Sequence, residues 1–165
     1  MNGTGTKTQR AVIYVRQSKD AEGNGHAVER QLAECERLAA ARGWTIVARE
    51  TDNDVSASNG KARPGFQRVM DMIGSGAVEV VIVWAVDRLV RKLADLEHVI
   101  DACEAAGVKL ATVSGDLDLS TDQGRLVGRI LASVARGEVE RKGTRQRLAN
   151  AQAARAGKRR TGTPP

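Results

Sequence analysis

Apolar positions along the chain switch between two spacings. Ala11-Val-Ile-Tyr-Val15 is a short β-branched and aromatic run that predicts a first strand. Apolar residues then recur at Val28, Leu32, Cys35 and Ala39, the spacing of a helix, with Gly43 placed to cap it. Trp44 to Ala48 predicts a second strand, and Thr51 to Arg63 has the Asp/Asn/Ser/Gly chemistry of a long loop. Pro64 suits the first turn of a helix, whose stripe is Phe66, Val69, Met70 and Ile73 and whose end is Gly74. Val78 to Val86 is nearly continuous in apolar residues, as a central parallel strand covered on both faces is. Leu93, Leu96, Ile100 and Cys103 mark another helix ending at Gly107, and Val108 to Val113 a fourth strand. This alternation predicts a three-layer α/β domain around a mainly parallel sheet of four or five strands.

Beyond Leu119 the pattern changes. Ser120 and Gln123 have capping-box spacing, and Leu126, Val127, Ile130, Leu131 and Val134 form one apolar stripe. No proline interrupts the chain until Pro164, so a C-terminal helix of about 30 residues or more is expected, with a core to pack against in its first half only. The expected organisation is a disordered stretch over 1–10, the α/β core over 11–120, the long helix over 121–160 and a truncated linker over 161–165.

A length of 165 residues suits one domain, and 41% hydrophobic with 28% charged residues suits a folded globular one. The longest strictly apolar run, Val80 to Val86, is far short of the roughly 18 residues of a membrane span. The opening MNGTGTKTQR lacks the apolar centre of a secretory signal. Two cysteines (Cys35, Cys103) and two histidines (His26, His98) do not make an ordinary zinc site, and a reduced, cytoplasmic protein whose chemistry does not rest on thiols or imidazoles is expected. Charge is unevenly placed. Residues 1–135 hold 17 Lys+Arg against 18 Asp+Glu, whereas 136–165 hold 9 against 2, which makes up the net +6. A near-neutral body with a basic tail points to a polyanion partner.

In parallel α/β sheets, functional groups gather beyond the carboxyl ends of the strands. There the sequence offers Arg16 and Ser18, then Asp52, Asp54, Ser56 and Arg63, then Asp87, Arg88 and Arg91, then Ser114, Asp116 and Asp118. A hydroxyl among up to four arginines suits phosphoryl transfer with serine as nucleophile, the guanidinium groups holding the charge that gathers on the non-bridging oxygens. The carboxylates leave open a magnesium-dependent nuclease or phosphotransferase. The tail leaves open a non-catalytic module that dimerises and grips DNA.

The residues also resemble a known family. Tyr14-Val-Arg16-Gln-Ser18, Glu29-Arg-Gln31, Asp54-Val-Ser-Ala57 with Arg63-Pro64, and Val86-Asp87-Arg88-Leu-Val-Arg91 stand in the order and spacing of the serine recombinases, which comprise resolvases, invertases and large serine integrases. The resemblance runs from residue 11 to about 160. It implies that Ser18 is the nucleophile, cutting double-stranded DNA to leave a 5′-phosphoserine link and a free 3′-hydroxyl. Arg16, Arg63, Arg88 and Arg91 match the active-site arginines, Asp87 the carboxylate that orients them, Gln31 a helper in the first helix and Tyr14 a residue beside the site. It further implies no cofactor and no metal, a dimer on each DNA site and a tetramer in synapsis, with room for a directionality factor. The long helix corresponds to the family's dimerisation helix, where Glu138 matches an acidic residue. Its basic end, Arg141, Lys142, Arg145, Arg147, Arg155, Lys158, Arg159 and Arg160, would cross the DNA backbone.

Two departures bear on the branch. Val139 follows Glu138 where resolvases and invertases commonly carry arginine, and the stretch Asp52 to Lys61 reads like that of the large integrases, so the integrase branch is expected. The chain also stops at Pro165, before any base-reading module, and is expected to bind DNA weakly with little site preference.

Overall fold

The computed structural model describes residues 8–17, 25–53, 63–114 and 119–155. Among the described residues ten elements follow one another: β1 (Arg10–Gln17), α1 (Gly25–Arg42), β2 (Thr45–Asn53), α2 (Pro64–Gly74), β3 (Val80–Val83), the single turn α3 (Val86–Leu89), a 3-10 turn (Leu93–Asp95), α4 (Leu96–Ala105), β4 (Lys109–Thr112) and α5 (Asp122–Arg155). The four strands form one parallel sheet in the order β2-β1-β3-β4. This is the α/β architecture with a long C-terminal helix that the alternating pattern predicts.

Successive residues of a strand face opposite sides, and the central strands β1 and β3 are buried on both. Ala11, Ile13, Val15, Val80 and Ile82 pack with Cys35 and Ala39 of α1. Val12, Tyr14, Val81 and Val83 pack on the other side with Val69 and Ile73 of α2, Leu96, Ile100 and Cys103 of α4, and Ala132 of α5. The register shifts between Ala11/Ile46 and Val12/Ala48, which leaves Val47 as an extra, half-exposed residue on the edge strand β2. Both cysteines are buried in these layers, and desolvation pushes their thiols up, Cys35 to about 12 and Cys103 to about 11.

Three helices end in the same way. The Trp44 N–H donates to the Ala39 carbonyl and the Gly43 N–H to that of Ala40, the paired bonds of a glycine-terminated helix, and Gly43 takes the left-handed φ this needs. For α2 the left-handed residue is Gly76, with Gly74 as the last helical residue.

Several boundaries differ from the sequence pattern, each for a local reason. β2 continues to Asn53 because the polar Asp52 stays in register with Arg16 and turns its carboxylate inward. β3 stops at Val83, the partner of Thr112 at the end of β4, and the chain then turns into α3. The α5 cap is Thr121, whose hydroxyl accepts from the Gly124 N–H at 3.0 Å, in place of Ser120.

The largest correction concerns the face of α5. Leu126, Val127, Ile130, Leu131 and Val134 are exposed, and the residues against the core are Gly124, Gly128 and Ala132. A Cβ on Gly128 would lie 3.0 Å from Leu119 and 3.2 Å from Ile100, so the helix approaches α4 more closely than a bulky side chain permits. Arginines flank this contact: Arg125 pairs with Glu104, Arg129 with Asp101 and Glu104, and Arg136 with Glu97. From Glu138 onward every described side chain of the helix is exposed. Among the described residues no helix is long and apolar enough to cross a membrane.

Candidate active site

The carboxyl edge of β1 organises the site. Tyr14 and Arg16, two apart, share the face covered by α2, and both are buried. Pro64 opens α2 and its N-cap residue, Arg63, makes no side-chain cap, so the first turn of that helix needs an acceptor from elsewhere. Asp52 supplies it. Its Oδ1 accepts from the Gly65 N–H and its Oδ2 from the Phe66 N–H, both at 2.9 Å. The same Oδ2 accepts the Tyr14 hydroxyl at 2.9 Å. The carboxylate is thus a buried helix cap, which gives it a structural position in place of the metal-ligand role left open by the sequence.

Tyr14 passes this order on to Arg63. Its hydroxyl oxygen accepts from Arg63 Nη2 at 2.7 Å and Nε at 3.3 Å. The guanidinium lies 4.0 Å above the Phe66 ring and 5.3 Å from that of Tyr14, and the two rings meet edge to face. Desolvation of the phenol, opposed by Arg63 and reinforced by Asp52, moves the Tyr14 pKa up to about 12, so the hydroxyl stays protonated as a donor to Asp52.

The segment after β3 meets these arginines through its main chain. Arg16 Nε donates to the Arg88 carbonyl at 3.1 Å, and its Nη2 to the carbonyls of Asp87 and Val90. Arg63 Nη2 donates to the Leu89 carbonyl. Four successive carbonyls, from 87 to 90, therefore each accept a guanidinium N–H. A helix end leaves such carbonyls without intrahelical donors, and α3 is short enough for two arginines to satisfy them.

Side chains of the same segment point elsewhere. Asp87 is largely exposed and pairs with Arg88 at 3.6 Å, so the contact from Asp87 to Arg16 is made by its carbonyl and not its carboxylate. Arg88 lines an open cleft of about 410 Å³ with Trp84 and with Ala27, Arg30, Gln31 and Glu34 of α1. Within it Gln31 Oε1 and Arg88 Nε are buried without a hydrogen-bond partner among the described residues. Arg91, just past α3, is exposed.

The structure thus gathers Tyr14, Arg16, Arg63 and the segment carrying Asp87 and Arg88 at one edge, with Gln31 beside Arg88. Ser18, the residue after the end of β1 by one, lies outside the described residues, as do Asp54, Ser56, Asp116 and Asp118. Glu138, Arg141, Lys142 and Arg145 share one exposed stretch of α5, far along the chain from this edge, with Arg147 and Arg155 beyond them. Lys158, Arg159 and Arg160 lie outside the described residues. Sequence reasoning missed the stacking of Phe66 under Arg63 and the capping role of Asp52. The signal for the second was present: a proline-opened helix preceded by arginine has no local cap.

Comparisons with known proteins bear on the family and the fold. The family described as resolvase, N-terminal domain, matches residues 11–159. A DNA-invertase of Escherichia phage P1 is 33% identical over 86 residues, covering 52% of this chain and 44% of that protein. A transposon Tn2501 resolvase of Escherichia coli is 29% identical over 109 residues, covering 65% of this chain and 54% of that one. The chain therefore spans about half the length of these relatives. Among solved structures, the N-terminal catalytic domain of TP901-1 integrase superposes with a TM-score of 0.67 at 26% identity, over 81% of this chain and 99% of that one. A resolvase-family site-specific recombinase from Streptococcus pneumoniae gives 0.70 at 27% identity, over 90% and 99%. Integrase and resolvase structures are thus matched alike, and with the family match over nearly its whole length, this chain belongs to the serine recombinases as a resolvase-type N-terminal catalytic domain.

Proposed function

We propose that this domain cuts and rejoins double-stranded DNA through a 5′-phosphoserine at Ser18, in a recombinase that integrates or excises a phage or mobile element. The observation that carries the reading is the convergence of Arg16, Arg63 and the 87–90 segment at the carboxyl edge of β1, the strand whose next residue is Ser18. Ser18 Oγ gives up its proton and bonds to phosphorus, the bond from phosphorus to the 3′-oxygen breaks, and that oxygen takes up a proton and leaves as a hydroxyl. Attack by the 3′-hydroxyl of another half-site reverses the step. Charge on the non-bridging oxygens is met by the guanidinium groups of Arg63, Arg88 and Arg91.

The exposed side chains Leu126, Val127, Ile130, Leu131 and Val134 support assembly with further copies of the chain, since so continuous an apolar face on a helix signals a partner. Past that face, Arg141, Lys142, Arg145, Arg147 and Arg155 are exposed and suit the phosphate backbone. Val139 in place of arginine supports the integrase branch.

The test is covalent. Incubating the recombinase with nicked duplex DNA, denaturing and digesting with protease is expected to yield a DNA-linked peptide containing Ser18, and S18A none. A link at another residue, or strand cleavage that survives in S18A, would falsify the assignment.

A further inference from the structure

Arginines at a phosphate-handling edge are ordinarily counted together as cations for the phosphate. Two of those here differ in where their N–H groups point. Arg16 is 7% exposed, and its Nε and Nη2 donate to the carbonyls of Asp87, Arg88 and Val90. Arg63 donates through Nε and Nη2 to Tyr14 and Leu89, while its Nη1 makes no hydrogen bond among the described residues. Each carbonyl of the stretch 87–90 is thereby held, although α3 contains a single turn closed by the Val90 N–H on the Val86 carbonyl. One turn of helix is marginal in isolation, because nucleation fixes several dihedrals for one hydrogen bond. What fixes this turn is a buried guanidinium fork across its end, bonded by charge-assisted hydrogen bonds. A lysine in its place has one nitrogen and cannot span the same carbonyls.

We propose that Arg16 is a positioning residue: together with Arg63 it clasps the carbonyls of residues 87–90 and so sets the segment that presents Arg88 and Arg91 to a phosphodiester. The inference rests on the recombinase reading for the identity of the phosphate, but the clasp itself is a property of the protein without DNA. It divides the arginines into one that builds the edge from below, Arg16, one that does so with its Nη1 making no hydrogen bond among the described residues, Arg63, and two that the segment carries, Arg88 and Arg91. It also ties the reacting strand to the cation-bearing turn. β1, which leads directly to Ser18, reaches across to α3 through Arg16, so a displacement of either is felt by the other.

The test uses the 165-residue chain labelled uniformly with ¹⁵N, in the absence of DNA. The Arg16 Nε–H is expected to exchange with solvent at least tenfold more slowly than that of Arg145, which is exposed on α5. On titration with inorganic phosphate, the Nε signal of Arg88 is expected to shift while that of Arg16 stays in place. In R16Q and in R16K, the amides of Arg88 and Val90 are expected to exchange at least tenfold faster than in the wild type, with R16K rescuing little despite its charge. An Arg16 Nε–H that exchanges as fast as that of Arg145, or that moves with phosphate as Arg88 does, overturns the proposal. So does amide protection in both variants within twofold of wild type. Should the variants not fold, the wild-type exchange rate decides alone. Failure to find a DNA link at Ser18 would remove the recombinase reading and leave the exchange result standing, so the two claims fail separately.

Discussion

At the sheet edge, the guanidinium of Arg16 is sealed beneath the turn it bonds, whereas that of Arg145 stands in solvent on the far half of α5. Both are arginines in a chain with a net +6 charge, and composition does not separate them. Burial does. A desolvated cation holding carbonyls acts through direction and distance, and ionic strength hardly reaches it. A solvated one acts through long-range charge, which salt screens and which tolerates exchange for lysine. The edge and the tail are thus two electrostatic regimes in one domain.

Four measurements sharpen or break this contrast, from the largest effect down. Replacing Asp52 by alanine removes the acceptor of two α2 amides and the Tyr14 hydroxyl at once, and urea unfolding is expected to show a loss of about 3 kcal/mol. A loss under about 1 kcal/mol would mean that Asp52 is not the hub of the edge. Gly128→Val crowds Leu119 and Ile100, and is expected to cost about 2 kcal/mol by the same assay. Lys142→Ala and Arg145→Ala should leave stability unchanged. Each is expected to weaken duplex binding uniformly across sequences and to reduce the slope of log K against log salt by about one. A change in sequence preference would place these residues in a groove and not on the backbone. The ion pair of Arg136 with Glu97 is partly exposed at both ends, and Glu97→Gln is expected to cost about 0.5 kcal/mol or less.

Acidity offers a further handle on the edge. The Tyr14 pKa is about 12 in the folded protein, above its ordinary value of about 10, so the native state retains a proton that the unfolded chain releases. The stabilisation is full below about pH 10 and declines as pH rises toward about 12. The stability difference between wild type and Y14F is therefore expected to be constant up to about pH 10 and to shrink above it. A difference that stays constant to pH 12 would mean the hydroxyl is not the desolvated group described here.

How much of this was legible beforehand depends on which physical signal each feature leaves. The layers were legible because core strands and helices leave hydrophobic periodicity. The face of α5 was misread for the same reason. Leu126, Ile130 and Val134 form the stripe that usually marks a core, but periodicity reports that a face is apolar and not what covers it. The better signal was Gly124, Gly128 and Ala132 at four-residue spacing, a strip of small residues that lets a helix approach closely. At the site, the arginines and Tyr14 were legible by type and spacing, and the order of strands brings them to one edge. The bonds of Arg16 and Arg63 to main-chain carbonyls leave no trace in residue identity, since any four residues at 87–90 offer the same acceptors. The end of β2 was taken for loop because Asp52 is polar, and only its buried cap position explains a charged residue there.

The seat of α5 on Gly128 and Ala132 makes the rest of that helix a lever. From Ala132 to Arg155 it runs about 35 Å, so a tilt of ~10° at the pivot sweeps its tip through about 6 Å. That sweep is nearly twice the rise along the helix axis between successive phosphates of one strand of the proposed duplex. Small adjustments where two helices touch would thus re-aim a whole row of positive charge, without any change in the sheet.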